Sequence, residues 1–222
     1  MPPQPYVFTS LDELHRELRS AKTLEKEQDF FFTVSTRRDT AKEAAFTSAV
    51  GNTFRAFPLR RFDLSPSVLY REWATAYGEQ HVPTFRTITD AAAMRQFVIA
   101  GGRSLDAYWS EATAGRHTMT FGRAAKLFNL LIKGWLRLSF ITDDERRRLL
   151  PLCEVPLDTF TLQAVHRLLP ACKIPPKAGM SFVKTEAQYE ALQDAIRALC
   201  LPDSYPLRYE LVAWNLSHPE IR

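Results

Sequence analysis

Between residues 120 and 138, Phe121, Ala125, Phe128, Ile132 and Trp135 recur at steps of three and four. That spacing places them on one stripe of an α-helix, and the stripe must be buried against neighbouring elements. The same period runs through much of the chain. Leu11, Leu14 and Leu18 define a first helix with Ser10 as N-cap, and residues 41–50 read as a second that ends at Gly51. Residues 66–77 read as a helix with proline at its first position, and residues 89–100 as one capped by Gly101-Gly102, with another turn at 104–109. Residues 143–148 place acids before bases, which suits a helix dipole. Pro156-Leu157-Asp158 opens a helix that Pro170 closes, residues 185–199 begin with a Thr185-x-x-Gln188 capping box, and residues 206–216 form a last helix. Residues 51–67 and 173–184 read as loops, and Phe30-Phe31-Phe32-Thr33-Val34 as an extended piece or buried loop. Hairpin signals are almost missing, so the expected fold class is all-α.

With 45% apolar residues in 222, the chain can bury a sizeable core. The net charge of +4 and pI near 9.0 permit binding to nucleic acid without requiring it. The first eighteen residues hold no apolar run of signal-peptide type, and no stretch of about 18 apolar residues occurs, so no membrane association is expected. Cys153, Cys172 and Cys200 form no pair or cluster of zinc spacing, which fits reduced thiols in a cytoplasmic protein and no metal site. The expected organisation is an N-terminal helical part at 1–103 and a second part at 104–222, or one continuous domain, with any boundary at 101–118.

Two charged features stand out. At 100° per residue, Arg123, Lys126, Lys133 and Arg137 share the helix face opposite the apolar stripe. Such a face is either the solvated side of an amphipathic helix or one that tracks phosphates or does chemistry. Lys126 lies four residues after Gly122, close to a helix N-terminus, where backbone N–H groups attract anions. The second feature is Asp158, placed by Pro156 where a helix N-cap belongs. A capping carboxylate is fixed by backbone donors and aimed off the helix end, so capping and catalysis are compatible.

Together, Gly122-Arg123-Ala124-Ala125-Lys126 and Pro156-Leu157-Asp158 resemble the two catalytic elements of the helix-hairpin-helix DNA glycosylases. In that superfamily a lysine opens the second helix of the hairpin, and a Pro-x-Asp opens a later helix. The separation, 158 − 126 = 32 residues, is similar to that of the archaeal 8-oxoguanine glycosylase branch, and the absence of a Gly-x-Gly turn before Lys126 is a feature of the same branch. Glu210 and Trp214, four residues apart on one helix face, look like the acidic residue and tryptophan with which that branch holds an extruded base. The resemblance covers roughly residues 118–216.

The resemblance implies a cytoplasmic, monomeric enzyme without a cofactor that acts on double-stranded DNA carrying a modified base. Lys126 would be the Schiff-base nucleophile and Asp158 its partner, with abasic-site lyase activity following from the imine. Arg123, Lys133 and Arg137 would bind backbone phosphates, and residues 1–103 would form one wall of the base cleft. The base would be oxidised guanine or a bulky modified one such as phage DNA carries. The role would be repair or antiphage defence. Two rival readings remain: a non-catalytic helical DNA-binding protein, and a protein-interaction module in which Lys126 is a surface charge. Trp73, Trp109, His81 and His117 carry no role and read as core or surface.

Overall fold

The computed structural model describes residues 3–49, 53–54, 57, 65–202 and 204–218. Among the described residues there are ten α-helices and no strand, only an isolated bridge between Arg38 and Leu138. The fold is therefore all-α. The helices are α1 (Leu11–Leu18), α2 (Ala21–Phe32), α3 (Ala41–Ser48), α4 (Pro66–Arg86) and α5 (Ala91–Ala112), followed by α6 (Phe121–Trp135), α7 (Asp143–Leu149), α8 (Thr159–Val165), α9 (Glu186–Cys200) and α10 (Pro206–Ser217). Among the described residues, no helix is long and apolar enough to cross a membrane.

Packing sorts these helices into two groups. In one, α6 lies along α5 and α3, and α4 closes against α3 and α5. In the other, α10 packs on α8, α9, α2 and α1, so the first two helices join the C-terminal ones. The residues before α1 are tied into this second group: the Phe8 N–H donates to the Ala164 carbonyl (2.9 Å), and the Tyr6 N–H to the Ser217 hydroxyl (2.9 Å). Residue 103 lies inside α5.

An aromatic cluster fills the first group. Phe128 and Trp135 pack edge to face at 5.8 Å, and Trp73 stacks on Tyr77 at 4.9 Å. Trp73 and Trp109 belong to this core, while His81 lies against Tyr77 at 4.0 Å. Burying each such ring contributes roughly 1.5–3 kcal/mol, before the preferred ring geometry is counted.

Several boundaries differ from those read in the sequence, each for a packing reason. The helix at 89–100 does not stop at Gly101-Gly102; α5 runs through both glycines and includes 104–109. The glycines serve a close crossing. A Cβ at Gly101 would lie 2.3 Å from the Phe128 ring, and Gly102 faces the backbone of Ala124 and Ala125. The helix at 66–77 continues to Arg86 through Gly78 and Pro83, where Gly78 admits the Ala41 methyl and the Trp135 ring. Residues 21–32 form α2, so Phe30-Phe31-Phe32 is the end of a helix and not the extended piece or loop expected; the helix turns Phe31 fully into the core. The helix at 120–138 stops at Trp135. Beyond it, the fully buried Arg146 donates to the carbonyls of Leu136 (2.5 Å), Ile141 (2.9 Å) and Leu138 (3.3 Å), which holds the chain in a turn. The helix opened by Asp158 ends at Val165, short of Pro170. The box at Thr185 is half formed: its hydroxyl accepts from the Gln188 N–H, but Gln188 takes its own donor from Lys184. The helix read at 41–50 ends earlier, at Ser48, where Ala49 is already extended; Gly51 and most of the loop at 51–67 lie outside the described residues.

The two adjacent glycines of α5 are predicted to respond oppositely to alanine. Gly101→Ala must displace a Phe128 ring confined by Trp73, Tyr77, Phe97 and Trp135, and should cost about 1–3 kcal/mol. Gly102→Ala meets ordinary contacts (3.5 Å to the Ala125 nitrogen) and should gain up to about 1 kcal/mol of helix propensity. Urea midpoints of the two variants check both signs.

Candidate active site

The two helix groups meet across a cavity of about 550 Å³, with α6 as the shared wall. Pro156 and Asp158 line it from the segment that enters α8, Glu210 and Trp214 from α10, and Lys126 and Lys133 from α6. Helices α2 and α3 supply the opposite wall, through Phe30 and Ser48 among others. The first hundred residues thus contribute directly to the cavity.

Lys126 points away from the aromatic core but not into bulk water. It is buried, and its Nζ lies 3.1 Å from Asp158 Oδ2. Asp158 divides its two oxygens between two tasks. Oδ1 accepts from the Phe160 N–H (2.9 Å) and the Thr161 N–H (3.1 Å), capping α8. The Asp158 N–H donates to the Thr161 hydroxyl (2.9 Å), which completes a capping box. Helix α8 is itself held from α10, because the buried Tyr209 hydroxyl donates to the Thr161 carbonyl. The capping role read from Pro156-Leu157-Asp158 is present, and the remaining oxygen faces the lysine.

A second pair lies about two turns further along α6. Lys133 Nζ is 2.5 Å from Glu210 Oε2, and both side chains are largely shielded. The same ammonium sits 4.7 Å from the centre of the Phe30 ring, and the Arg137 guanidinium 4.6 Å from it. Cations over an aromatic face are attracted by its quadrupole. Arg137 also donates to the Thr36 carbonyl (3.0 Å), and burial together with the neighbouring Arg38 pulls it below its ordinary range. Trp214 is 40% exposed at the cavity wall and is backed by His218, stacked at 3.9 Å, with the Phe160 ring edge-on at 5.2 Å. Such a braced indole is a flat platform for another ring.

The sequence-derived residues therefore separate. Lys126, Asp158, Lys133, Glu210, Trp214 and Arg137 share one cavity. Arg123 does not line it; its guanidinium lies over the Phe57 ring at 5.6 Å. The solvated-face alternative for this side of α6 fails, because Lys126 is buried and Lys133 is largely shielded and paired. Gly122 does not open a free helix end for an anion either. Its N–H donates to the Val183 carbonyl (3.1 Å), and a Cβ there would meet the Met180 carbonyl at 2.4 Å, so residues 180–183 cover that end. Phe30 was missed as a site residue because its helix was unread; Ser20 before it, whose hydroxyl accepts from the Thr23 N–H, was the available signal.

Among the described residues, no group of three or more His, Cys, Asp or Glu side chains could hold a metal ion, and Cys153, Cys172 and Cys200 are free thiols. No family model, curated protein or solved structure matches the chain.

Because one Asp158 oxygen caps and the other pairs, two substitutions should separate the tasks. Asp158→Asn retains a capping oxygen, whereas Asp158→Ala loses it and should be the less stable variant by about 0.5–2 kcal/mol. Denaturant midpoints of the two variants measure that gap, and equal midpoints would mean that the cap contributes nothing.

Proposed function

We propose that the protein is a DNA glycosylase that excises a modified base through a Schiff base on Lys126. The observation that carries this reading is the Lys126–Asp158 contact of 3.1 Å at the wall of a cavity large enough for an extruded nucleotide base. The order of elements also supports it. Helix α5, the connection at 113–120 and α6 form a packed helical hairpin whose second helix bears the lysine, and Asp158 opens a later helix, as in the helix-hairpin-helix enzymes.

The mechanism follows from the groups present. The target nucleotide leaves the duplex stack, since its sugar carbon is unreachable inside it. Asp158 Oδ2 takes a proton from the Lys126 ammonium and passes it to water, so that the carboxylate is ionised again when positive charge develops on the sugar. The neutral amine forms a bond to C1′ while the bond from C1′ to the base breaks, and the base leaves with that electron pair and collects a proton. Opening of the sugar ring converts the adduct to an imine. Loss of a C2′ proton then expels the 3′ phosphate by β-elimination, the lyase step. Glu210 and Lys133 present an acceptor and a donor to the base edge while Trp214 offers its face. With Lys133 held this way, phosphate binding falls to other cations.

Cavity size bears on the substrate. About 550 Å³ lies within the range that accommodates drug-sized ligands and exceeds the need of one bare purine. The wall opposite Asp158 carries hydroxyls whose protons are already committed to the protein. Thr36 donates to the Thr33 carbonyl, and Thr47 donates to that of Glu43 while accepting from Arg38 (3.3 Å), which leaves oxygen lone pairs, most fully on Thr36, for donors on a ligand. This favours a base with a bulky polar substituent, as in modified phage DNA, over oxidised guanine.

Incubation with duplexes bearing a panel of modified bases, and with phage DNA, should release a free base identifiable by mass. Borohydride should trap a covalent complex with the wild-type chain and none with Lys126→Gln. Full trapping by that variant would remove Lys126 from the chemistry. Asp158→Asn should lose most of its turnover at a retained fold, and a fully active variant would leave Asp158 as a cap alone.

A further inference from the structure

Helix α9 touches none of the cavity, yet one of its faces grips the segment that leads to Asp158. Tyr189, Gln193 and Arg197 stand four residues apart and so line up along the helix. Arg197 donates to the carbonyls of Pro151 (2.6 Å), Leu152 (3.0 Å) and Cys153 (3.3 Å). Gln193 pairs with both backbone groups of Val155, accepting from its N–H (3.0 Å) and donating to its carbonyl (2.8 Å). The Tyr189 hydroxyl donates to the Glu154 carboxylate (2.6 Å). Glu154 is 1% exposed, and its other oxygen accepts from Arg95 of α5 (2.7 Å), which also pairs with Asp194 (2.7 Å). Five consecutive residues, 151–155, are thus fixed to α9 three residues before the aspartate.

Tyr189 does one thing more. Its oxygen accepts from the Asn129 side-chain amide (2.8 Å), and Asn129 lies on α6 less than one turn after Lys126. The geometry is consistent in donors: the amide supplies the proton to the phenol, and the phenol's own proton goes to Glu154. Tyr189 and Glu154 are buried, and Asn129 is 1% exposed, so water cannot substitute for either bond. A single hydroxyl therefore joins the lysine's helix to the aspartate's segment.

We propose that Tyr189 is a positioning residue that sets the spacing of Lys126 and Asp158, with Asn129 and Glu154 as its two attachments. The consequence for rate rests on the glycosylase reading; the consequence for the ion pair does not. Misplacing a reacting group by about an ångström can cost a hundredfold in rate, with binding left intact.

The test is Tyr189→Phe, which keeps the ring and removes the oxygen. At saturating substrate DNA its single-turnover rate should fall about tenfold to a hundredfold with unchanged DNA affinity. The same substitution placed on Asp158→Asn should cause no further loss, since it acts through that carboxylate. A second readout needs no DNA: reductive methylation with formaldehyde and cyanoborohydride, followed residue by residue by mass. Loosening the pair should raise methylation of Lys126 several-fold in Tyr189→Phe, and again in Asn129→Leu, while Lys133, paired with Glu210, stays constant. Unchanged labelling of Lys126 overturns the proposal, as does a parallel rise at Lys126 and Lys133, which would mark general loosening. If the wild-type chain traps on no DNA, the glycosylase reading falls and the labelling comparison still decides the role of Tyr189.

Discussion

Helix α6 is surrounded on nearly all sides, and the remaining architecture answers to that fact. An amphipathic helix at a protein surface can leave its charges in water; this one cannot. Phe128, Trp135 and Leu131 fill one side, while Lys126 and Lys133 fall where α2, α10 and the entry to α8 close over them. A shielded ammonium needs an acid close by, or it costs several kcal/mol. Asp158 and Glu210 meet that need from segments far away in the chain, so the two ion pairs define where the C-terminal helices must sit. The cavity is the space left between those pairs and α2 and α3.

Much of this was legible in the sequence, and the residues show why. The stripe Phe121, Ala125, Phe128, Ile132 and Trp135 identified α6 and the all-α class, because apolar period survives any tertiary context. Asp158 was legible as a cap because Pro156 and the residues after it restrict the backbone locally. The glycines misled. Gly101-Gly102 has the composition of a helix end, but its use is a close crossing with Phe128 and Ala125, which depends on a partner helix that no local pattern reveals. Gly78 and Pro83 in α4 are the same kind of case. Exposure at α10 runs against residue type in both directions. Trp214 is the exposed residue and Glu210 the buried one, the reverse of what hydropathy suggests, because Lys133 lies opposite Glu210 and a cavity opposite Trp214.

Tyr189, Gln193 and Glu154 were invisible for a different reason. A buried polar clamp has no periodic or compositional signature; it shows only when donors and acceptors from separate segments are matched atom by atom. Burial pushes the Glu154 carboxyl up from its ordinary range, and the bonds from Tyr189 and Arg95 pull the other way. Such a group is costly to leave unpaired, so a network like this tolerates one arrangement and rejects neighbouring ones. That property suits a scaffold which must hold two side chains at a fixed distance.

Asp158 shows how the levels connect. Were both of its oxygens committed to the α8 cap, none would remain for Lys126; were neither, nothing local would aim the carboxylate. Dividing them gives a carboxylate whose direction comes from two backbone N–H groups and whose free oxygen meets the lysine. The backbone approaching it is in turn clamped by α9 at residues 151–155, and α8 is anchored through Thr161 by Tyr209. Under the glycosylase reading, this arrangement is preorganisation in the physical sense. The free oxygen is already in place before charge develops on the sugar, so little reorganisation is left for the reacting complex.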